Sequence, residues 1–139
     1  MTSDAAETKG PNPGITPYLC CRSALRALDF YRVAFGAVER SRQMQPDGRL
    51  GHAEIVVGKS VIMLADEFPE IGFRSPRSLG GSPVYLHLQV ERVDSVFERA
   101  IAGGAKQLRP VSDQPYGERS GQLEDPFGHV WILATPKAG

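Results

Sequence analysis

Ala34-Phe35-Gly36-Ala37 closes an amphipathic segment, and Ala102-Gly103-Gly104-Ala105 closes another. Gly36 precedes Gly104 by 68 residues, and Glu54 and Gly58 precede Glu124 and Gly128 by 70. Each half reads strand, helix, then about three strands. The near-constant offset predicts a duplicated βαβββ unit. One such unit cannot bury both faces of its sheet, so two must pack together. The fold class is therefore α+β, with two tandem βαβββ modules whose curved mixed sheets surround a cleft. That cleft is where function is sought.

Working outward, Ile15 to Cys21 alternates and follows a Pro/Gly break, which suits a first strand. Pro17 cannot donate a ladder hydrogen bond, so it belongs at an edge or a bulge. Ser23 reads as an N-cap. Leu25, Leu28, Tyr31, Val33 and Phe35 recur at helical spacing until Gly36. Val38 to Met44 is the second strand, and Gln45-Pro46-Asp47-Gly48 is a turn. His52, Glu54 and Val56 alternate with Ala53, Ile55 and Val57 in a third strand. Val61 to Ala65 is nearly continuous apolar sequence, as in a central fourth strand.

Asp66 to Pro83 is rich in Gly, Pro, Ser and charge and reads as a connector. Long loops of this kind often cover a site, and Phe68 and Phe73 stand within it. Val84 to Val90 is the fifth strand. Asp94 is placed to cap a second helix, with Val93, Val96, Phe97, Ala100 and Ile101 as its apolar stripe. Lys106 to Val111, Ser120 to Asp125 and His129 to Ala134 complete the strands. Residues 1–14 form a polar lead-in. A single domain covers 15–139, with module one at about 15–66, the connector at about 67–83 and module two at about 84–136.

Composition narrows the function. The 139 residues hold 16 basic and 16 acidic side chains, with no basic stripe, so nucleic acid is not an expected partner. No apolar run approaches about 18 residues, so no membrane span is expected. The lead-in lacks an apolar signal core, which predicts a cytoplasmic protein. Cys20 and Cys21 are adjacent and would make a strained bridge, so both are expected to be buried free thiols.

Leu28-Asp29-Phe30-Tyr31 before Phe35-Gly36, Val90-x-x-Val93-Asp94, and Asp125-Pro126-Phe127-Gly128-His129-Val130-Trp131 together resemble the vicinal oxygen chelate superfamily. That group includes glyoxalase I, extradiol dioxygenases, fosfomycin-resistance transferases and bleomycin-resistance proteins. Ile15-Thr16-Pro17-Tyr18-Leu19, Met63-Leu64-Ala65-Asp66-Glu67-Phe68-Pro69 and Asp113-Gln114-x-Tyr116-Gly117-x-Arg119-Ser120-Gly121 resemble its PhnB-like branch more narrowly. The resemblance implies a homodimer. It also implies metal-ligand positions on the first, fourth, fifth and eighth strands, which here fall on Thr16, Met63, Tyr85 and Ile132. A divalent ion needs imidazole or oxygen donors converging at about 2.0–2.6 Å, and this set does not supply them. No metal or other cofactor is therefore expected.

Strand alternation extends the cleft face to Tyr18 and Cys20, to Val61 and Ala65, to His87 and Gln89, and to Val130. Thr16, Tyr18, Met63, Tyr85, His87, Gln89 and Ile132 are the expected ligand-binding residues. They form a mixed aromatic, apolar and amide surface suited to a small organic molecule. Catalytic candidates are His52, Glu54 and His87. A His52–Glu54 or His87–Glu54 pair would make a general base, and all three together would make a two-His, one-carboxylate metal set. Two functions stay open: a glyoxalase/bleomycin-resistance-like binder without the usual metal site, or a lyase, isomerase or dioxygenase-type enzyme, metal-free or with a non-standard metal site. Arg119 is expected to pair with Glu118 or Glu124, and Trp131 to pack under the second helix.

Overall fold

The computed structural model describes residues 14–137, so the expected lead-in, apart from Gly14, lies outside the described residues. Module one comprises β1 (Tyr18–Cys21), α1 (Ala24–Phe35), β2 (Val38–Met44), β3 (Leu50–Val57) and β4 (Ser60–Asp66). A 3-10 turn at Pro69–Ile71 and a short helix α2 (Pro76–Leu79) occupy the connector. Module two comprises β5 (Tyr85–Gln89), α3 (Val93–Ala102), β6 (Lys106–Asp113), β7 (Glu118–Glu124) and β8 (Val130–Pro136). The sheet orders are β1-β4-β3-β2 and β5-β8-β7-β6, with the first pair of each parallel and the others antiparallel. The duplicated α+β architecture is thus present, with β1 at a sheet edge as Pro17 requires.

Each sheet buries one face under helix. Ala53, Ile55, Val57, Leu64, Leu123, Trp131 and Leu133 join Ala27, Tyr31, Val93 and Phe97 in one core. Alternate strand residues point away from the helices. At the module junction Asp125 is wholly buried. Its Oδ1 accepts the backbone N–H groups of Phe127 and His129, and its Oδ2 accepts Tyr31 Oη–H and Trp131 Nε1–H. Trp131 lies on β8, which packs against α3 as expected, and its ring also reaches α1, 5.6 Å from Tyr31 and 4.8 Å from Phe35. Gly128 has φ +93°, and a Cβ there would stand 2.7 Å from Pro76 Cβ, so only glycine lets the connector approach this turn.

Both helix caps differ from expectation. Ser23 makes no side-chain cap; Asp66 Oδ1, at the end of β4, accepts Ala24 N–H at 2.7 Å. Asp94 lies inside the first turn of α3, and Thr135 Oγ1, near the end of β8, accepts Val93 N–H at 3.0 Å. Val93 and Thr135 each stand 69 positions after Ala24 and Asp66, so the repeat extends to how the helices are capped from the sheet. The same spacing matches Tyr18 and Met63 with His87 and Ile132. In register Glu54 lies beside Met63 and Gln122 beside Ile132. Glu54 therefore corresponds to Gln122, and not to Glu124 as the residue count suggested.

Candidate functional site

The expected site residues divide between the open faces of the two sheets. Tyr18 and Met63 are register partners on β1 and β4, with Glu54 beside Met63 on β3. Tyr85, His87 and Gln89 share the open side of β5, and Ile132 is the partner of His87 on β8. Thr16 and His87 border a common groove of about 290 Å³ with Val57, Val61, Leu86 and Trp131.

The first face carries a continuous polar chain. Tyr18 Oη stands 2.9 Å from His52 Nδ1, and His52 Nε2 stands 3.2 Å from Glu54 Oε2. Arg40 donates to Glu54 Oε1 at 2.8 Å. Glu54 can only accept, so the hydrogen of His52 belongs on Nε2, and Nδ1 accepts from the Tyr18 hydroxyl. The hydrogen bond from His52, with the charge of Arg40, holds the Glu54 carboxyl below the usual carboxylate range. Burial raises the Tyr18 phenol above its ordinary value, so it keeps its proton.

Two residues here were not anticipated. Glu39 pairs with Ile55 and Ser41 with Glu54, leaving Arg40 as the extra residue of a bulge. A bulge re-aims a side chain, and this one serves Glu54. The second is Phe73, whose ring meets Tyr18 edge-on at 5.3 Å and 68°. The Phe68–Phe73 bridge closes the connector loop, while Arg49 stacks over Phe68 at 4.0 Å. The connector thus furnishes one wall of the first face. Phe73, Tyr18 and His52 form an aromatic corner, and Tyr18 remains 45% exposed.

His87 does not join Glu54. Its Nε2 lies 3.3 Å from Glu118 Oε2, on the second sheet. The His52/Glu54/His87 metal set is therefore not assembled within the chain. Among the described residues no group of three or more His, Cys, Asp or Glu side chains is placed to hold a metal ion. The four positions to which the resemblance assigns metal ligands, Thr16, Met63, Tyr85 and Ile132, carry a hydroxyl, a thioether, a phenol and an alkyl group. This donor set does not fit a hard divalent ion.

Cys20 lies on the open side of β1 yet is buried, and burial, reinforced by Glu67 and Asp66, pushes its thiol up to about 12. Cys21 is raised well above its ordinary value, first by burial and then by the charge of Asp125. Neither is an activated nucleophile. Arg119 pairs with Asp94 at 2.8 Å and with Asp113 at 3.2 Å, not with Glu118 or Glu124 as expected, and so braces the start of α3.

Residues 15–133 match the family model of the Glyoxalase/Bleomycin resistance protein/Dioxygenase superfamily. An uncharacterized protein of Mycobacterium tuberculosis is 44% identical over 127 residues, covering 89% of this chain and 75% of its own length. The crystal structure of an Arabidopsis thaliana gene product aligns with a TM-score of 0.70 at 25% identity, covering 88% of this chain and 98% of that one. A PhnB protein from Bacillus cereus aligns at 0.69 with 22% identity, covering 88% and 99%. With its two capped βαβββ modules, the chain belongs to the Glyoxalase/Bleomycin resistance protein/Dioxygenase superfamily.

Proposed function

We propose that the chain binds a small organic molecule on the open face of its first sheet, without a divalent metal at the superfamily's usual positions. The Tyr18–His52–Glu54–Arg40 chain beside the corner formed by exposed Tyr18 and half-buried Phe73 carries this reading. The Tyr18 hydroxyl already donates to His52, so its oxygen offers a lone pair to an N–H or O–H of the ligand. Phe73 and Met63 supply the apolar wall against which a flat ligand packs. On the second face Tyr85, Gln89, His87 and Ile132 offer a similar mixture. A homodimer that sets one protomer's first sheet beside its partner's second would combine the two, and we include that assembly and a cytoplasmic location in the proposal. The exposed edge strands β2 and β6 support the first.

One observation favours a catalytic reading within the same site. Glu54 fixes the His52 tautomer that leaves Nδ1 able to take the Tyr18 proton, as a general base acting through a phenol would require. Isomerase or lyase chemistry on an acidic C–H is the reaction class this serves.

Binding is tested by NMR titration of the chain with a panel of aromatic phenols, amides and lactams. Saturable shifts centred on Tyr18, Phe73 and His52, weakened in Tyr18→Phe, are expected. Shifts that avoid this face would refute the site. Deuterium uptake from D₂O into a bound ligand's C–H, abolished in His52→Gln, separates the enzyme from the binder.

A further inference from the structure

A second cavity opens on the helix side of the molecule, away from the faces just described. It measures about 650 Å³ and lies between α1, the end of α3 and the turn after β7. Phe30, Phe127, Pro126 and Gly103 belong to its floor. The Phe30 and Phe127 rings meet at 6.2 Å, and a Cβ on residue 103 would stand 3.1 Å from Phe30 Cε1. Four guanidinium side chains line it: Arg22, Arg26, Arg77 and Arg99.

Their partners distinguish them. Arg22 bonds Ser78 Oγ and lies 3.6 Å from Glu67, and Arg77 pairs with Glu124 at 2.8 Å. Among the described residues Arg99 reaches no carboxylate and donates only to the Ala34 carbonyl, at 3.4 Å. Arg26, one turn beyond Arg22 on α1, has no hydrogen-bond or ion-pair partner among the described residues. Asp29 also lines the cavity, but Arg32 lies 3.6 Å from it. Arg26 and Arg99 are therefore left without an ion-pair partner among the described residues, beside an aromatic floor.

Guanidinium forks recognise carboxylates bidentately, and apolar rings take a flat hydrophobic body. The volume lies within the range of small-molecule pockets and exceeds what a bare inorganic anion fills. We propose that this groove is a second binding site, for a small aromatic carboxylate. It is independent of the first-sheet site, shares no residue with it, and stands or falls separately.

The probe is 2-naphthoate, followed by titration calorimetry at low ionic strength against wild type and variants whose folding is verified by circular dichroism. Saturable binding is expected, with the neutral isostere 2-naphthamide weaker by about tenfold or more, as the loss of a charge-assisted hydrogen bond dictates. The Arg26→Gln/Arg99→Gln double variant should weaken naphthoate by a similar factor. Arg26→Gln alone, at an exposed position, should give part of that loss without disturbing folding. Val33→Trp, which fills the groove from its exposed rim, should block binding, while Tyr18→Phe should leave it unchanged. Four results would overturn the proposal: no saturable binding of naphthoate, equal affinity for naphthamide, undiminished affinity in the arginine variants, or inorganic phosphate alone binding as tightly. Loss of naphthoate binding in Tyr18→Phe with full retention in Arg26→Gln/Arg99→Gln would reassign the ligand to the first sheet.

Discussion

Tyr31 donates its hydroxyl hydrogen to Asp125 Oδ2 at 2.5 Å, joining the helix of the first module to the last turn of the second. Asp125 is fully buried and also holds two backbone N–H groups and the Trp131 indole. Four donors converge on one carboxylate, so the two partners are unequal in importance. Asp125→Ala strands four buried donors at once and should cost about 4 kcal/mol, while Tyr31→Phe leaves Asp125 three donors and should cost about 1–2 kcal/mol. Urea unfolding of the two variants checks the ranking. Equal losses would mean that the carboxylate matters only through the tyrosine.

Helix capping from the sheet gives a second ranking. Asp66 accepts the N–H groups of both Ala24 and Leu50, joining α1 to β3. Asp66→Ala should therefore cost about 2 kcal/mol, and Thr135→Val a similar amount, because Thr135 Oγ1 also donates to the Val90 carbonyl at 2.7 Å. Ser23→Ala should be close to neutral, because Ser23 makes no cap. Thermal denaturation of the three variants measures the order, and a large loss at Ser23 would contradict the geometry.

These caps mark what local sequence could and could not supply. The repeated module was legible because alternation and the stops at Gly36 and Gly103-Gly104 are short-range signals. The helix caps were not, because Asp66 and Thr135 lie 42 residues after the amides they serve. Tyr18, His52 and Glu54 were legible as face residues, since alternation alone assigns them. Arg40 was missed because a bulge breaks that alternation, and Phe73 because a connector has no period. Glu54 was matched to Glu124 because both turns carry a glycine. The β3–β4 turn closes between Val57 and Ser60, but the β7–β8 turn closes between Glu124 and Val130, and the longer loop shifts the register.

The thiols supply a chemical test of burial. Cys20 is pushed up to about 12, chiefly by desolvation, and Cys21 well above its ordinary value. Only the thiolate attacks a disulfide reagent. At pH 8 the folded protein should react with a disulfide dye at least about 100-fold more slowly than the urea-unfolded chain, where both cysteines are exposed with the ordinary thiolate fraction. Rapid labelling of one thiol in the folded state would show that the open side of β1 admits solvent to Cys20.

Glu54 ties the site to pH. Its folded-state pKa is depressed, first by the hydrogen bond from His52 and then by Arg40. A carboxyl of this kind contributes stability that is complete above its unfolded pKa and is lost as pH falls through the lower folded value. Wild type should therefore be more stable than Glu54→Gln at pH 7, and the difference should shrink as pH drops below about 4. Arg40→Ala should narrow it in the same direction, since removing the guanidinium raises the Glu54 pKa toward the ordinary range. Denaturation midpoints across that pH interval measure the convergence. If the gap between wild type and Glu54→Gln stayed constant down to the acid limit, the carboxylate would not be the charged anchor of the Tyr18–His52 pair, and the tautomer assigned to His52 would lose its basis.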